Sequence, residues 1–117
     1  MKASDDDRLV DYLDQVALAA GNAVSFIDGM ELDDFLVDKR TQQAVVMSLM
    51  IIGEAAAKIL DRYPDFAASN AELPWVSMRG MRNRIAHGYF ELNLGVVWET
   101  AKRALPTLLQ HLAGKTG

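Results

Sequence analysis

Between Asp38 and Pro64 the chain carries one long apolar stretch, and its middle, AVVMSLMIIGEAAAKIL, has no polar stripe broad enough to face water along its length. A helix apolar on most sides is buried by several neighbours at once. Asp38 is placed to cap this helix, and Pro64, which has no amide hydrogen, ends it near Tyr63. The stretch therefore predicts a central helix that the rest of the chain must wrap. In a protein of 117 residues a second copy of the chain can supply part of the cover.

The flanking segments can do this wrapping. Ser4 followed by Asp7 reads as a capping box, and Leu9, Tyr12, Leu13, Val16, Leu18, Ala19, Ala20, Ala23, Val24 and Ile27 recur at helical spacing until Gly29. A short turn of helix is expected at residues 33–36, and another within the polar stretch 65–73. Pro74 opens a helix over WVSMRGMRNRIAHGYF, which frays near His87 and Gly88. Asn93 caps a last helix with Val96, Val97, Trp98, Ala101, Leu105, Leu108, Leu109 and Leu112 inward, kinked or interrupted by Pro106. No alternating run suggests a sheet. The expectation is a single all-α domain over residues 1–117, an antiparallel bundle of four to five helices. Trp75 and Trp98 are read as core or interface anchors, the methionines at 47, 50, 78 and 81 as core filler, and His111 as a surface residue.

Composition excludes several functions. There is no cysteine, so disulfides, thiol nucleophiles and thiolate metal sites are ruled out. No carboxylate–histidine cluster has metal-ligand spacing, and no glycine-rich phosphate loop is present, so neither a metal nor a cofactor is expected. The first residues, MKASDDDRLV, do not form a secretory signal, and the apolar run Ala44–Ile52 is too short to span a bilayer. A cytoplasmic protein with no membrane partner is the resulting expectation. Net charge is −4, but unevenly spread: residues 1–40 hold ten acids and four bases (−6), and residues 41–117 hold six acids and eight bases (+2). Arg79, Arg82 and Arg84 concentrate positive charge on an otherwise acidic body, which suits holding a phosphate without coating a duplex.

The chemistry centres on Arg82-Asn83-Arg84-Ile85-Ala86-His87-Gly88-Tyr89. Arg82 offers a planar fork of donors for phosphate oxygens. His87 brings the side chain type that titrates nearest neutral pH, suited to proton transfer. Tyr89 offers a hydroxyl and a ring face, and Asn83 neutral hydrogen bonding. In RNA the neighbouring 2′-hydroxyl is an internal nucleophile, so cleavage needs no metal. Geometry opposes a simple version of this site. On one helix Arg82 and Tyr89 share a face, but His87 lies about 140° from Arg82. Either the helix ends near His87 and the imidazole turns back, or a two-fold dimer joins the motifs of two chains. Glu54, a charge in the apolar helix, needs a partner, and Arg82 and Arg79 are candidates. Gly53 beside it permits close helix approach. Arg79 and Arg84 are read first as solvated, with an auxiliary phosphate role for either.

Arg82-x-x-x-x-His87-x-Tyr89 resembles the signature of HEPN-superfamily ribonuclease toxins of the HepT type. Ile52-Gly53-Glu54-Ala55-Ala56, Gly80-Met81-Arg82-Asn83, His87-Gly88-Tyr89-Phe90 and Val97-Trp98-Glu99 are similar to segments of these proteins in the same order, over roughly residues 8–112. The resemblance implies a HEPN helical bundle acting as a homodimer, with the cleft at the dimer interface. It implies metal-independent cleavage of tRNA or mRNA by Arg82 and His87, supported by Asn83, Glu54 and Arg79. It also implies a toxin whose partner antitoxin, a minimal nucleotidyltransferase, silences it by transferring AMP to Tyr89. The alternative is a non-catalytic module that binds a nucleotide or docks a nucleotidyltransferase. A scaffold whose arginines only form ion pairs is a third reading.

Overall fold

The computed structural model describes residues 5–116 and is all-α, with no strand among them. Ser4, expected to cap the first helix, lies outside the described residues. Helix α1 (Asp5–Phe26) leads through a turn with Gly29 at φ 78° into the single-turn α2 (Leu32–Leu36). A positive φ of this size is routine only for glycine, and it reverses the chain toward α3 (Lys39–Arg62). The short α4 (Pro64–Ser69) and α5 (Trp75–Gly88) follow. A 3₁₀ turn (Tyr89–Glu91), α6 (Leu94–Glu99) and α7 (Leu105–Thr116) complete the described chain.

Capping chemistry sets these boundaries. Asp38 accepts from the Thr41 amide at 3.0 Å and from the Thr41 hydroxyl at 2.6 Å, and those two bonds hold its carboxyl below the usual value of 3.8. Asn93 accepts from the Val96 amide at 3.2 Å and so starts α6. Pro64 ends α3 and takes the first position of α4, where a missing amide hydrogen costs nothing.

Helix α3 is the axis of the bundle, with α1 and α5 packed along it and α7 against α1. Its 24 residues and apolarity would let it cross a membrane by length and composition, but half of its most apolar window is buried by the other helices. Val45, Ile52, Ala56 and Ile59 from α3 meet Val16 and Ala20 from α1 and Met78 and Ile85 from α5. Trp75 and Trp98 are both buried. The indole nitrogen of Trp75 donates to the Asn70 carbonyl at 3.1 Å, and Trp98 packs on Phe35 with centroids 5.5 Å apart.

Three expected core residues are on the surface instead: Leu18 is 68% exposed, Met47 is 61% exposed and Val96 is also exposed. Each lies on the flank of its helix away from the buried stripe. Just before Pro106 the regular α-helix is interrupted. Residues Thr100–Ala104 widen into a π turn, in which the Leu105 amide donates to the Thr100 carbonyl five residues back. A proline ring clashes with the carbonyl four residues before it, here that of Lys102, and the wide turn carries α6 into α7 past that clash.

Candidate active site

Gly53 fixes where the site's arginine can stand. A Cβ at Gly53 would run into the Cβ of Arg82 and come within 2.8 Å of the Met78 carbonyl oxygen. Only glycine lets α5 approach α3 this closely. The approach brings the Arg82 guanidinium to the next residue of α3, Glu54, with Nη1 donating to Oε1 at 2.8 Å. The Arg82 side chain is 24% exposed and that of Glu54 53%, so this is a surface pair with one well-packed member. Its worth to stability is small, about 1 kcal/mol or less. Its effect is on direction: Glu54 takes one edge of the guanidinium, while Nε is buried without a partner. Of the two arginines expected for Glu54, Arg82 is the one bound.

Helix α5 runs to Gly88 before tightening into the 3₁₀ turn. His87 is therefore still helical, and its position follows the regular spacing. It lines an open groove of about 570 Å³ together with Arg84, Glu91 and Asn93, and Arg82 is not part of that lining. Arg82 and His87 therefore do not share this groove, and α5 ends one residue past His87. Tyr89 lies at the start of the 3₁₀ turn, accessible, with its ring edge-on to Phe90 at 5.5 Å. The two rings border a shallow hollow with Gln42 and Val46 of α3. Asn83 is exposed and Arg79 half-buried.

Three features had little signal in the sequence. Phe90 is 98% exposed, although nothing in its spacing separates it from a core residue. On α3, Met47, Ile51 and Glu54 share the outer face at helical spacing, so an uncovered apolar patch adjoins the Arg82–Glu54 pair. The pairing of Arg84 with His87 in one groove depends on how residues 91–96 pack against the end of α5, which periodicity does not report.

An all-helical bundle whose third long helix closes on Arg82-x-x-x-x-His87-x-Tyr89 agrees with the class that the sequence resembled. Residues 16–113 match the family model described as ribonuclease HepT-like, and the chain belongs to the HepT-like ribonuclease family. It is 40% identical over 98 residues to a protein of Thermococcus cleftensis named "Probable ribonuclease HepT", covering 84% of this chain and 86% of that one. A provisionally named RNase of Methanocaldococcus jannaschii is 33% identical over 89 residues, covering 76% of this chain and 71% of its own. A similarly named protein of Caldanaerobacter subterraneus subsp. tengcongensis is 31% identical over 97 residues, with coverages of 83% and 84%. No solved structure matches the chain.

Proposed function

We propose that this protein is a metal-independent endoribonuclease, the toxin of a toxin–antitoxin pair, acting on tRNA or mRNA in the cytoplasm. One observation carries the reading. The family match runs through α5, and there Arg82 is braced by Glu54 at the surface rather than absorbed into the core. A surface guanidinium held by one edge keeps donors for a phosphate.

The active unit is a homodimer. Arg82 and His87 lie on different flanks of α5, so a second copy supplies the imidazole that one chain cannot present to its own arginine. The uncovered apolar face of Met47 and Ile51 beside Glu54 supports pairing at this side of the bundle. In the assembled cleft Arg82 binds the non-bridging oxygens of the scissile phosphate, with Asn83 and Arg79 in support. His87 takes the proton of the 2′-hydroxyl, and the 2′-oxygen attacks phosphorus. The bond from phosphorus to the 5′-oxygen breaks, and the proton passes to that oxygen, giving a cyclic phosphate and a 5′-hydroxyl end. The arginine offsets the charge that builds on the phosphoryl oxygens.

Tyr89 is the point of control. Its accessible hydroxyl accepts AMP from ATP, with pyrophosphate leaving, in a reaction carried out by a cognate nucleotidyltransferase. The added phosphate and nucleoside then occupy the cleft and compete for Arg82.

Purified protein incubated with RNA in the presence of chelator tests the reading. Cleavage that disappears in Arg82→Ala and in His87→Ala, with helicity intact, is the expected result. Absence of cleavage by unmodified protein, combined with retained binding of a nucleotide or nucleotidyltransferase, would select the non-catalytic module instead.

A further inference from the structure

The arginines of this protein differ in what holds them. Arg82 has Glu54 at 2.8 Å and Arg103 has Glu99 at 2.7 Å. Arg84 has no carboxylate partner among the described residues. Its Nη2 lies 3.8 Å from the Met81 sulfur, and its Nη1 would be 3.8 Å from a Cβ at Gly80. The side chain thus lies back along α5 over a glycine and a thioether, and a thioether is a weak acceptor. Arg84 is exposed, keeps its charge, and lines the same groove as His87.

That groove continues. Met81, Arg84 and Val96 also line a cavity of about 300 Å³ between α5 and the π turn, floored by Leu49 and Ile52 of α3. Val96, Thr100 and Leu108 are shared between that cavity and an open groove of about 730 Å³ reaching Arg103 and His111. A channel therefore leads from His87, past Arg84, along the flank of the last helix.

We propose that Arg84 is a substrate-binding residue that grips the phosphate beside the scissile one, so that a single RNA strand runs along the channel between α5 and the α6–α7 rod. The inference rests on the ribonuclease reading and adds the course of the substrate. A guanidinium free of carboxylates presents the fork that matches two phosphate oxygens. Glu91 lines the His87 groove, and Glu72 and Glu99 line the outer one, where Glu99 holds Arg103; these carboxylates repel a backbone and leave Arg84 as the channel's arginine without a carboxylate partner. Asn93, Thr100 and Thr107 offer hydrogen bonds to ribose hydroxyls, and the channel lining holds no Phe, Tyr or Trp on which to stack bases, its rings being the imidazoles of His87 and His111. Recognition through backbone and sugar makes the substrate a single-stranded segment that is read weakly for sequence.

Binding is measured on His87→Ala protein, which cannot turn the probe over, using a fluorescent mixed-sequence oligoribonucleotide of about twelve nucleotides, within the usual reach of single-strand sites. Adding Arg84→Ala is expected to weaken Kd about tenfold. The slope of log affinity against log salt should fall by about 0.7, the value of one lost contact to a single strand. Arg84→Lys should recover most of that slope. Val96→Glu, at an exposed channel position, should weaken binding in the same direction while circular dichroism remains unchanged. In otherwise wild-type protein, Arg84→Ala should raise KM more than it lowers kcat. If Arg84→Ala leaves Kd and salt slope unchanged while wild-type protein cleaves RNA, the substrate course is wrong and the nuclease reading stands. If wild-type protein neither binds nor cleaves RNA, both are overturned.

Discussion

Gly53 of α3 lies so closely under Arg82 of α5 that no side chain fits between them. The contact links the packing of the two helices to the position of the site's guanidinium, and it makes Gly53→Ala informative. The new methyl group meets a Cβ and a backbone carbonyl, neither of which can swing away, so the helices must separate. The expected cost is about 1–3 kcal/mol, read as a fall of roughly 5–10 °C in melting temperature. RNA cleavage should fall further than the folded fraction does, because Arg82 moves with α5.

Glu54→Gln separates direction from stability. The amide keeps the shape but loses the charge that draws Nη1 of Arg82. The unfolding free energy should change by less than about 1 kcal/mol, as for other exposed pairs. Cleavage should drop about tenfold or more, since a displaced catalytic group loses rate steeply. Equal activity in Glu54→Gln and wild type would remove Glu54 from the site.

Mixing two inactive variants tests whether the site is shared between chains. In a heterodimer of Arg82→Ala and His87→Ala, one of the two composite clefts carries both mutations and the other carries neither. With random pairing, half the dimers are mixed, and about a quarter of wild-type activity should return. A mixture as inactive as its components places both groups in one chain.

The outer face of α3 gives a separate test. Met47→Lys with Ile51→Lys puts two charges on the uncovered patch without touching the core. Sedimentation should show a dimer for the wild type and a monomer for the double variant, with helicity unchanged and cleavage lost. A double variant that still sediments as a dimer moves the interface elsewhere.

Acid sensitivity should trace to Asp38. Its carboxyl is held below 3.8 first by the Thr41 hydroxyl and then by the Thr41 amide. A depressed carboxyl contributes stability that is fully present above the unfolded value and is lost as pH falls through the folded one. Below pH 3.8, Asp38→Asn should lose stability less steeply than wild type while still capping α3. Asp38→Ala should be less stable than wild type at neutral pH, as followed by thermal unfolding across pH.

The parts of the fold governed by local chemistry could be read from the chain. Asp38, Asn93, Pro64 and Gly29 act where their side chains or backbone freedom predict. The central helix is buried as its apolar run requires, and Glu54 finds Arg82. The inward stripes of the first and last helices are buried as expected, and the failures are single positions. Leu18, Met47 and Val96 face solvent because each falls about 140–200° around its helix from the buried stripe, an apolar residue on the outer flank. Pro106 acts through the π turn at Thr100–Ala104, which interrupts the regular α-helix just before it. At the site, α5 stays helical through Gly88, so the spacing that sets Arg82 and His87 on different flanks applies. The groove joining His87 to Arg84 was not visible, because its far wall comes from residues more distant in sequence.

The opposite bearings of Arg82 and His87 on α5 have a kinetic consequence. On the dimer reading, a lone chain carries two half-tools and cuts nothing. The working species forms in proportion to the square of the monomer level until association saturates. For a toxin of the kind proposed above, a small leak in synthesis would then be harmless, whereas a modest rise in dose would release a disproportionate attack on RNA, a threshold set by a rotation of about 140° around a single helix.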